Sequence, residues 1–287
     1  VSSSTANLVL APDTPIDLQT HTLYSDGEWT PEGLMDYAVK EGFGLIAITD
    51  HDRPDITDML QTLAAEKGLP VLIAVEMTTN WRGEMTDILC YGFDPAKDDL
   101  KRLAEDLHRR QRENSSMVYE NLIEKGYTFS SEPDALETLL QKPCAQHPHA
   151  IVNLLKRHGY GNQETSAGRI ALDAGVAFIT SDIGAVVEAG HRNGGVCLIA
   201  HPGRDDGFPC FTVDMLDQLR EEVPIDGFEV YYPAHTPEQI STYLDYAQKH
   251  QLLISSGSDS HRPDKPPIKY HAELSRNLLE RVGIQVR

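Results

Sequence analysis

From Ile16 onward the chain alternates short, mainly apolar runs with longer stretches whose apolar residues recur at helical spacing. The runs at 45–48, 71–75, 196–200, 227–231 and 252–255 predict strands, the first of them buried on both faces as in a parallel sheet. Between them lie amphipathic segments with end signals. Thr30 reads as an N-cap, Pro31 as the first helical residue and Glu32 as an acidic first turn; Leu34, Tyr37 and Ala38 follow on one face, and Gly42 closes the helix. Further helices are predicted over 56–67, 237–250 and 272–282. A turn at 80–83 predicts a hairpin returning through 85–91, with Asp87, Leu89 and Tyr91 on one face and Ile88 and Cys90 on the other.

The rhythm breaks near Lys97. Residues 97–125 are densely charged, with Leu100, Leu103, Leu107 and Val118 at helical intervals, which predicts one or two solvated amphipathic helices. The segments at 133–140 and 149–158 also read as helices. Residues 98–175 are therefore expected to form a helical insertion domain capping the site, set into an α/β domain made of 16–97 and 176–287. Residues 1–15 are expected to be a disordered tail, with no basic segment or long apolar run to suggest a signal peptide.

Nearly every apolar run ends in polar residues with metal-binding or acid–base chemistry. Gln19 and His21 lie two apart, so they share a face, and Asp26 can swing back toward them. The run at 45–48 ends in Thr49-Asp50-His51-Asp52, and the next in Glu76. His201 to Arg204 follow the strand at 196–200, and Asp259 and His261 follow the last one. In a β/α barrel such ends converge on one mouth, whereas an open doubly wound sheet brings only one or two of them to a ligand. No GxGxxG or P-loop favours the open sheet. Imidazoles and carboxylates without thiolates suit zinc, manganese, iron or similar cations, and a carboxylate such as Glu76 can bridge two of them.

The formal charge of −19 over 287 residues argues against a non-specific duplex-DNA binder. It leaves room for an enzyme acting on small anions, because bound cations invert the local field. Cys90, Cys144, Cys197 and Cys210 lack CxxC spacing, and the first and third read as buried free thiols. No apolar run approaches the roughly 20 residues of a membrane span. A cytoplasmic protein with no membrane partner is expected, its oligomeric state open.

The stretches Asp17-Leu18-Gln19-Thr20-His21, Ser25-Asp26-Gly27, Thr49-Asp50-His51-Asp52, Val75-Glu76, Ala200-His201-Pro202-Gly203-Arg204 and Gly257-Ser258-Asp259-Ser260-His261 together resemble the motifs of the polymerase-and-histidinol-phosphatase (PHP) superfamily. The resemblance is strongest to its small-molecule and nucleotide phosphoesterases, a branch that includes enzymes trimming RNA from the 5′ end. It runs over about 16–95 and 190–262 and implies a distorted (β/α)7 barrel with a helical insertion.

The resemblance also implies two or three divalent ions: manganese, iron or zinc, with magnesium possible. His21, Glu76 and Asp259 would hold one, with Gln19 where the family has histidine. Glu76 would bridge to a second, helped by His149 and by Asp87, again at a usual histidine position. Asp26, His51 and His261 would hold the third. Gln19 and Asp87 shift the site toward oxygen donors and so toward manganese, magnesium or iron. His201 and Arg204 match positions facing the substrate phosphate. His147 stands where the branch has an arginine, and Arg169 is the candidate for a lysine missing near 170. With Asp26, His201 and Arg204 form the implied catalytic set. The expected activity is hydrolysis of a small phosphomonoester, foremost a nucleotide, by a metal-bridging hydroxide. A histidinol-phosphate-type phosphatase, a 5′–3′ exonuclease on short RNA, and a degenerate non-catalytic metal-binding module are the competing readings. The arginines at 109, 110 and 112 would have to line a strand path for the exonuclease.

Overall fold

The computed structural model describes residues 4–287. Its strands are β1 (Val9–Leu10), β2 (Pro15–Asp17), β3 (Leu45–Ala47), β4 (Val71–Leu72), β5 (Ala74–Met77), β6 (Thr79–Trp81), β7 (Glu84–Met85), β8 (Ile88–Tyr91), β9 (Ser181–Asp182), β10 (Val196–Ile199), β11 (Gly227–Tyr231), β12 (Leu253–Ser256), β13 (Tyr270–His271) and β14 (Gln285–Val286). The helices are α1 (Pro31–Glu41), α2 (Thr57–Lys67), α3 (Asp99–Glu124), α4 (Ala135–Leu140), α5 (His147–Arg157), α6 (Ala167–Asp173), α7 (Ile183–Arg192), α8 (Val213–Glu222), α9 (Pro237–His250) and α10 (Arg276–Arg281). The chain divides into two compact units, one of residues up to 104 with 180–287, the other of residues 105–179.

The first unit is α/β. One sheet runs β12-β11-β10-β8-β5 and a second β13-β2-β3-β4. β8 is antiparallel to both β5 and β10, because the β6–β7 hairpin turns the chain back before it. Past the strand ends, pairing continues between the sheets: Thr20 bridges Ser260 and Leu18 N–H donates to Ser256 O at 3.0 Å, while His51 bridges Glu76. Leu89 and Tyr91 pack with Leu18, Leu45, Ala47 and Leu198 in one buried cluster. Ile88 and Cys90 face another, shared with Val186, Leu216 and Tyr243 of the covering helices. Burial on both faces explains the unbroken apolar runs.

Helix ends follow their local chemistry. The Thr30 side chain accepts from Gly33 N–H, and Gly42 ends α1 in the left-handed region at φ 78°. Thr236 and Gln239 form a reciprocal capping box ahead of α9.

Several expectations need correction. Residues 4–15 are not a disordered tail: β1 pairs in parallel with β14, and Ser4 exchanges hydrogen bonds with Val71. Backbone pairing, which composition does not encode, holds them; residues 1–3 lie outside the described residues. The strand expected at 71–75 is broken at Ile73, and its second half continues through Glu76. The closing helix is a 3₁₀ turn over Ala272–Ser275 followed by α10. Helices α6, α7 and α8 arise outside the predicted helical segments.

In the second unit Val118, Leu122, Phe129, Leu139, Ile151 and Leu155 form a helical core. The unit begins later than the charge pattern suggests, since Leu100 and Ala104 of the continuous 26-residue α3 belong to the first unit's core. Arg109 pairs with Asp106 and Glu113, and Arg110 with Asp106, so this basic run is largely neutralised within its own helix. No helix among the described residues is long and apolar enough to cross a membrane.

Candidate metal centre

Two carboxylates build the frame. Asp50, at the end of β3, accepts from Thr22 N–H at 2.7 Å, Ser25 Oγ at 2.7 Å and Thr22 Oγ1 at 2.6 Å. It thereby folds the loop carrying Asp26 back against the ligand strand. Gly27 completes that fold, because a Cβ there would stand 2.6 Å from the His21 carbonyl. Asp17 does the same for the last ligand loop, accepting from Ser258 N–H at 3.0 Å and Ile268 N–H at 2.8 Å. Three residues at strand ends hold positive φ, namely Asp52 and Asp259 at 55° and His201 at 31°. Such conformations are strained for side-chain-bearing residues and gather at functional sites.

These anchors bring the expected donors together. His21, Asp26, His51 and His261 each offer an atom within 4.8 Å of the others; so do His21, Glu76 and Asp259, and so do His51, Glu76 and Asp87. Donors around one cation with bonds of about 2.1 Å lie at most about 4 Å apart, so these groupings approach the size of an ion's shell. The rings of His21 and His261 stack at 4.2 Å, and those of His21 and His51 at 4.9 Å. His21 Nε2 stands 3.0 Å from Glu76 Oε2 and 3.1 Å from Asp259 Oδ1, yet neither oxygen lies in line for an N–H bond, and both ring nitrogens are buried without a hydrogen-bond partner. A buried nitrogen aimed between two carboxylates fits a cation better than a proton.

The electrostatics agree. Burial would raise the Glu76 carboxyl, but the imidazoles of His51, His201 and His21 hold it well below its usual range. Asp87 is pushed well above its own, by burial and then by the negative charges of Glu76 and Asp52. Burial would lower His21, but Asp259 and Glu76 hold it well above its ordinary value. Buried carboxylates forced together need positive charge. The residues therefore fit divalent cations.

Other expected residues sit differently. Gln19 is fully buried; its Nε2 donates to Glu76 Oε2 at 2.9 Å, and its Oε1 has no partner. The amide braces Glu76 in place of turning its oxygen to that carboxylate's side. His201 is 2% exposed, its Nε2 lies 3.2 Å from Glu76 Oε1, and its peptide N–H donates to Glu229. Its ring thus stands beside the carboxylate cluster. Arg204 stays on the accessible side: Nη1 lies 3.5 Å from Asp259 Oδ2, and the guanidinium pairs with Asp206 and rests over Phe208 at 4.6 Å.

In the second unit His147 is fully buried, with Nδ1 bonded to Ser115 and Nε2 to the Lys142 carbonyl. Both ring nitrogens are occupied, which removes it as a substrate-binding residue. Arg169 is exposed and pairs with Asp173 at 2.9 Å, its helical neighbour one turn on. His149 is exposed, its ring edge-on to Phe178 at 5.4 Å.

Sequence reasoning missed Glu229. It lies in the middle of β11, fully buried, and burial together with the charges of Asp259 and Glu76 pushes its carboxyl well above the usual range. A lone acid inside the apolar run Gly227–Tyr231 was the available signal. Asp17 and Asp50 stand in the motifs, but their role rests on hydrogen bonds to distant loops that residue type does not disclose.

Residues 17–171 match the PHP domain family, which covers more than half of the chain; Asp259 and His261, outside that segment, are joined to it by the geometry. The chain is 26% identical to the 3′,5′-nucleoside bisphosphate phosphatase of Chromobacterium violaceum, over 88% of this chain and 93% of that one. It is also 26% identical to a 5′-3′ exoribonuclease of Haemophilus influenzae, over 86% of this chain and 90% of the relative. A solved protein of Bifidobacterium adolescentis, inferred to be a metal-dependent phosphoesterase, superimposes with a TM-score of 0.74 at 25% identity, covering 94% of this chain and 97% of its own.

Proposed function

The chain belongs to the PHP domain family, and from that premise we propose that it is a metal-dependent phosphoesterase hydrolysing the phosphomonoester of a small molecule, foremost a nucleotide. The observation carrying this reading is the convergence of three donor groupings that share His21, His51 and Glu76 at the ends of separate strands. A structural metal site needs one closed set of ligands; overlapping sets with a partly exposed Asp26 and an accessible arginine suit catalysis.

His21, Glu76 and Asp259 would hold one ion, His51, Glu76 and Asp87 a second, and His21, Asp26, His51 and His261 would contribute to a third. When bound, divalent ions supply an acidified water and neutralise phosphoryl charge. The protein's own side chains do the rest. Arg204, held protonated by Asp206 and the nearby Asp259 although burial opposes it, presents a planar fork to phosphoryl oxygens. Asp50 and Asp17 hold the loops that carry Asp26 and Asp259, and Gln19 and His201 fix the two oxygens of Glu76. The oxygen-rich donor set with Asp87 favours manganese, iron or magnesium over a zinc-rich cluster.

The fold supports the same reading. The Thr20–Ser260 bridge would close β12 onto β2, and the His51–Glu76 bridge β3 onto β5, making a distorted seven-stranded barrel with its polar strand ends at one mouth. The internal pairing of Arg109 and Arg110 speaks against a basic path for long RNA.

The test is hydrolysis by the manganese-, iron- and zinc-reconstituted protein of nucleoside monophosphates, nucleoside bisphosphates, histidinol phosphate and short 5′-phosphorylated RNA in parallel. Phosphate release from the nucleotides supports the reading. Protein binding less than one ion per chain and inert toward all four substrates would overturn it.

A further inference from the structure

The two last metal-site residues, Asp259 and His261, also form part of the wall of a cavity of about 510 Å³, within the range of small-molecule pockets. Tyr232, Pro266, Arg262 and Lys265 line it too, so it combines aromatic and apolar surface with two cations. The segment bearing those cations is a built turn. Arg262 bridges Lys265, whose N–H donates to the Arg262 carbonyl at 3.0 Å. Ser260, between the two ligands, donates from Oγ to the Lys265 carbonyl at 2.7 Å and accepts from Trp29 Nε1 at 3.2 Å. The far end of the segment is pinned where Ile268 N–H meets Asp17. Lys265 is thus anchored through its backbone to the residue between two ligands.

The charge pattern around the turn is informative. Arg262 is balanced by Asp264 at 3.0 Å, whereas Lys265 makes no ion pair among the described residues. In a chain of net charge −19, an uncancelled ammonium on the wall of this cavity is a specific attraction for an anion. A simple monoester with its phosphoryl group at the ions and Arg204 would leave Lys265 unused.

Resting on the phosphoesterase reading above, we propose that Lys265, aided by Arg262, forms an anion subsite selecting phosphomonoesters that carry a second phosphoryl group, the body of the substrate lying against Tyr232 and Pro266. A bisphosphorylated nucleoside has that chemistry; a nucleoside monophosphate lacks it.

The experiment compares kcat/KM of the manganese-loaded protein for adenosine 3′,5′-bisphosphate and adenosine 5′-monophosphate in wild type, Lys265→Ala, Lys265→Glu and Lys265→Arg. Losing one charge-assisted contact is expected to lower the bisphosphate-to-monophosphate ratio about tenfold through KM, charge reversal to lower it further, and Lys265→Arg to restore most of it. An unchanged ratio, or equal losses on both substrates, overturns the subsite while leaving the phosphoesterase reading intact. If no variant hydrolyses either compound, calorimetry decides the subsite. Tighter binding of the bisphosphate than of the monophosphate, abolished by Lys265→Glu, upholds it, and equal affinities overturn it.

Discussion

Gln19 and Glu76 meet across two strand ends, the Gln19 amide donating to Glu76 Oε2 over 2.9 Å. An amide hydrogen occupying one oxygen of a carboxylate competes with a cation for it. Replacing Gln19 by histidine removes that donor and adds an imidazole lone pair. Gln19→His should therefore bind the ion at the His21, Glu76 and Asp259 position about tenfold more tightly, read as ions retained per chain after dialysis. Unchanged metal content would mean that the side chain at 19 does not face the ion.

Metal loading should be strongly pH-dependent. Asp259 and Glu76 outweigh burial to hold His21 above its ordinary value, and Asp26 and Asp259 do so for His261 against burial and the neighbouring His21. Both imidazoles must lose a proton to bind a cation, so manganese affinity should rise with pH, and calorimetry in buffers of different ionisation enthalpy should show protons released. In stripped protein the sign reverses. Histidines with raised values stabilise the fold fully below the unfolded value of about 6.5, and that contribution is lost as pH rises through the folded values. The gap in Tm between loaded and stripped protein should widen with pH.

Glu229 offers a separate pH test. Its carboxyl is raised by burial first and by Asp259 and Glu76 second. Below the unfolded value of about 4.3 it is neutral in both states; above it, the unfolded chain ionises while the fold does not, so stability falls as pH rises toward the folded value. Glu229→Gln lacks this titration. In stripped protein the variant's Tm should gain on wild type as pH rises above the unfolded carboxyl value of about 4.3, and parallel curves would refute the assignment.

Arg204 is expected to act on the phosphoryl group, not on the fold. Arg204→Ala should lower kcat/KM about a hundredfold, the scale of a lost charge-assisted contact of about 3 kcal/mol. Arg204→Lys should recover only part, since an ammonium lacks the planar fork. A fall in Tm matching the fall in activity would make the residue structural.

The site was legible because its residues stand at the ends of apolar runs, and burial on both faces makes those runs unmistakable. His21, His51, Glu76, Asp259 and His261 were visible for that reason, and the hairpin reversal before β8 was visible in the turn at 80–83. Side-chain direction was not. His201 lies buried against Glu76 with its φ at 31°, a backbone state that no residue-type pattern encodes. His147 is spent on the nearby Lys142 carbonyl and on Ser115, which lies 32 residues away and is brought near only by packed helices. Glu229 escaped notice because a lone acid in a strand looks like an exposed residue until both faces are known to be covered.

The pairing of Val9–Leu10 with Gln285–Val286 joins segments from opposite ends of the sequence. A contact of that separation closes a loop as long as almost the entire chain, so the entropy of closure disfavours it until the intervening elements are in place. It should consequently be absent from the folding transition state. Weakening it, for instance by Leu10→Ala, should accelerate unfolding while leaving the refolding rate nearly untouched. This two-residue ladder is then a kinetic latch, governing how long the assembled ligand cluster survives more than how fast it forms.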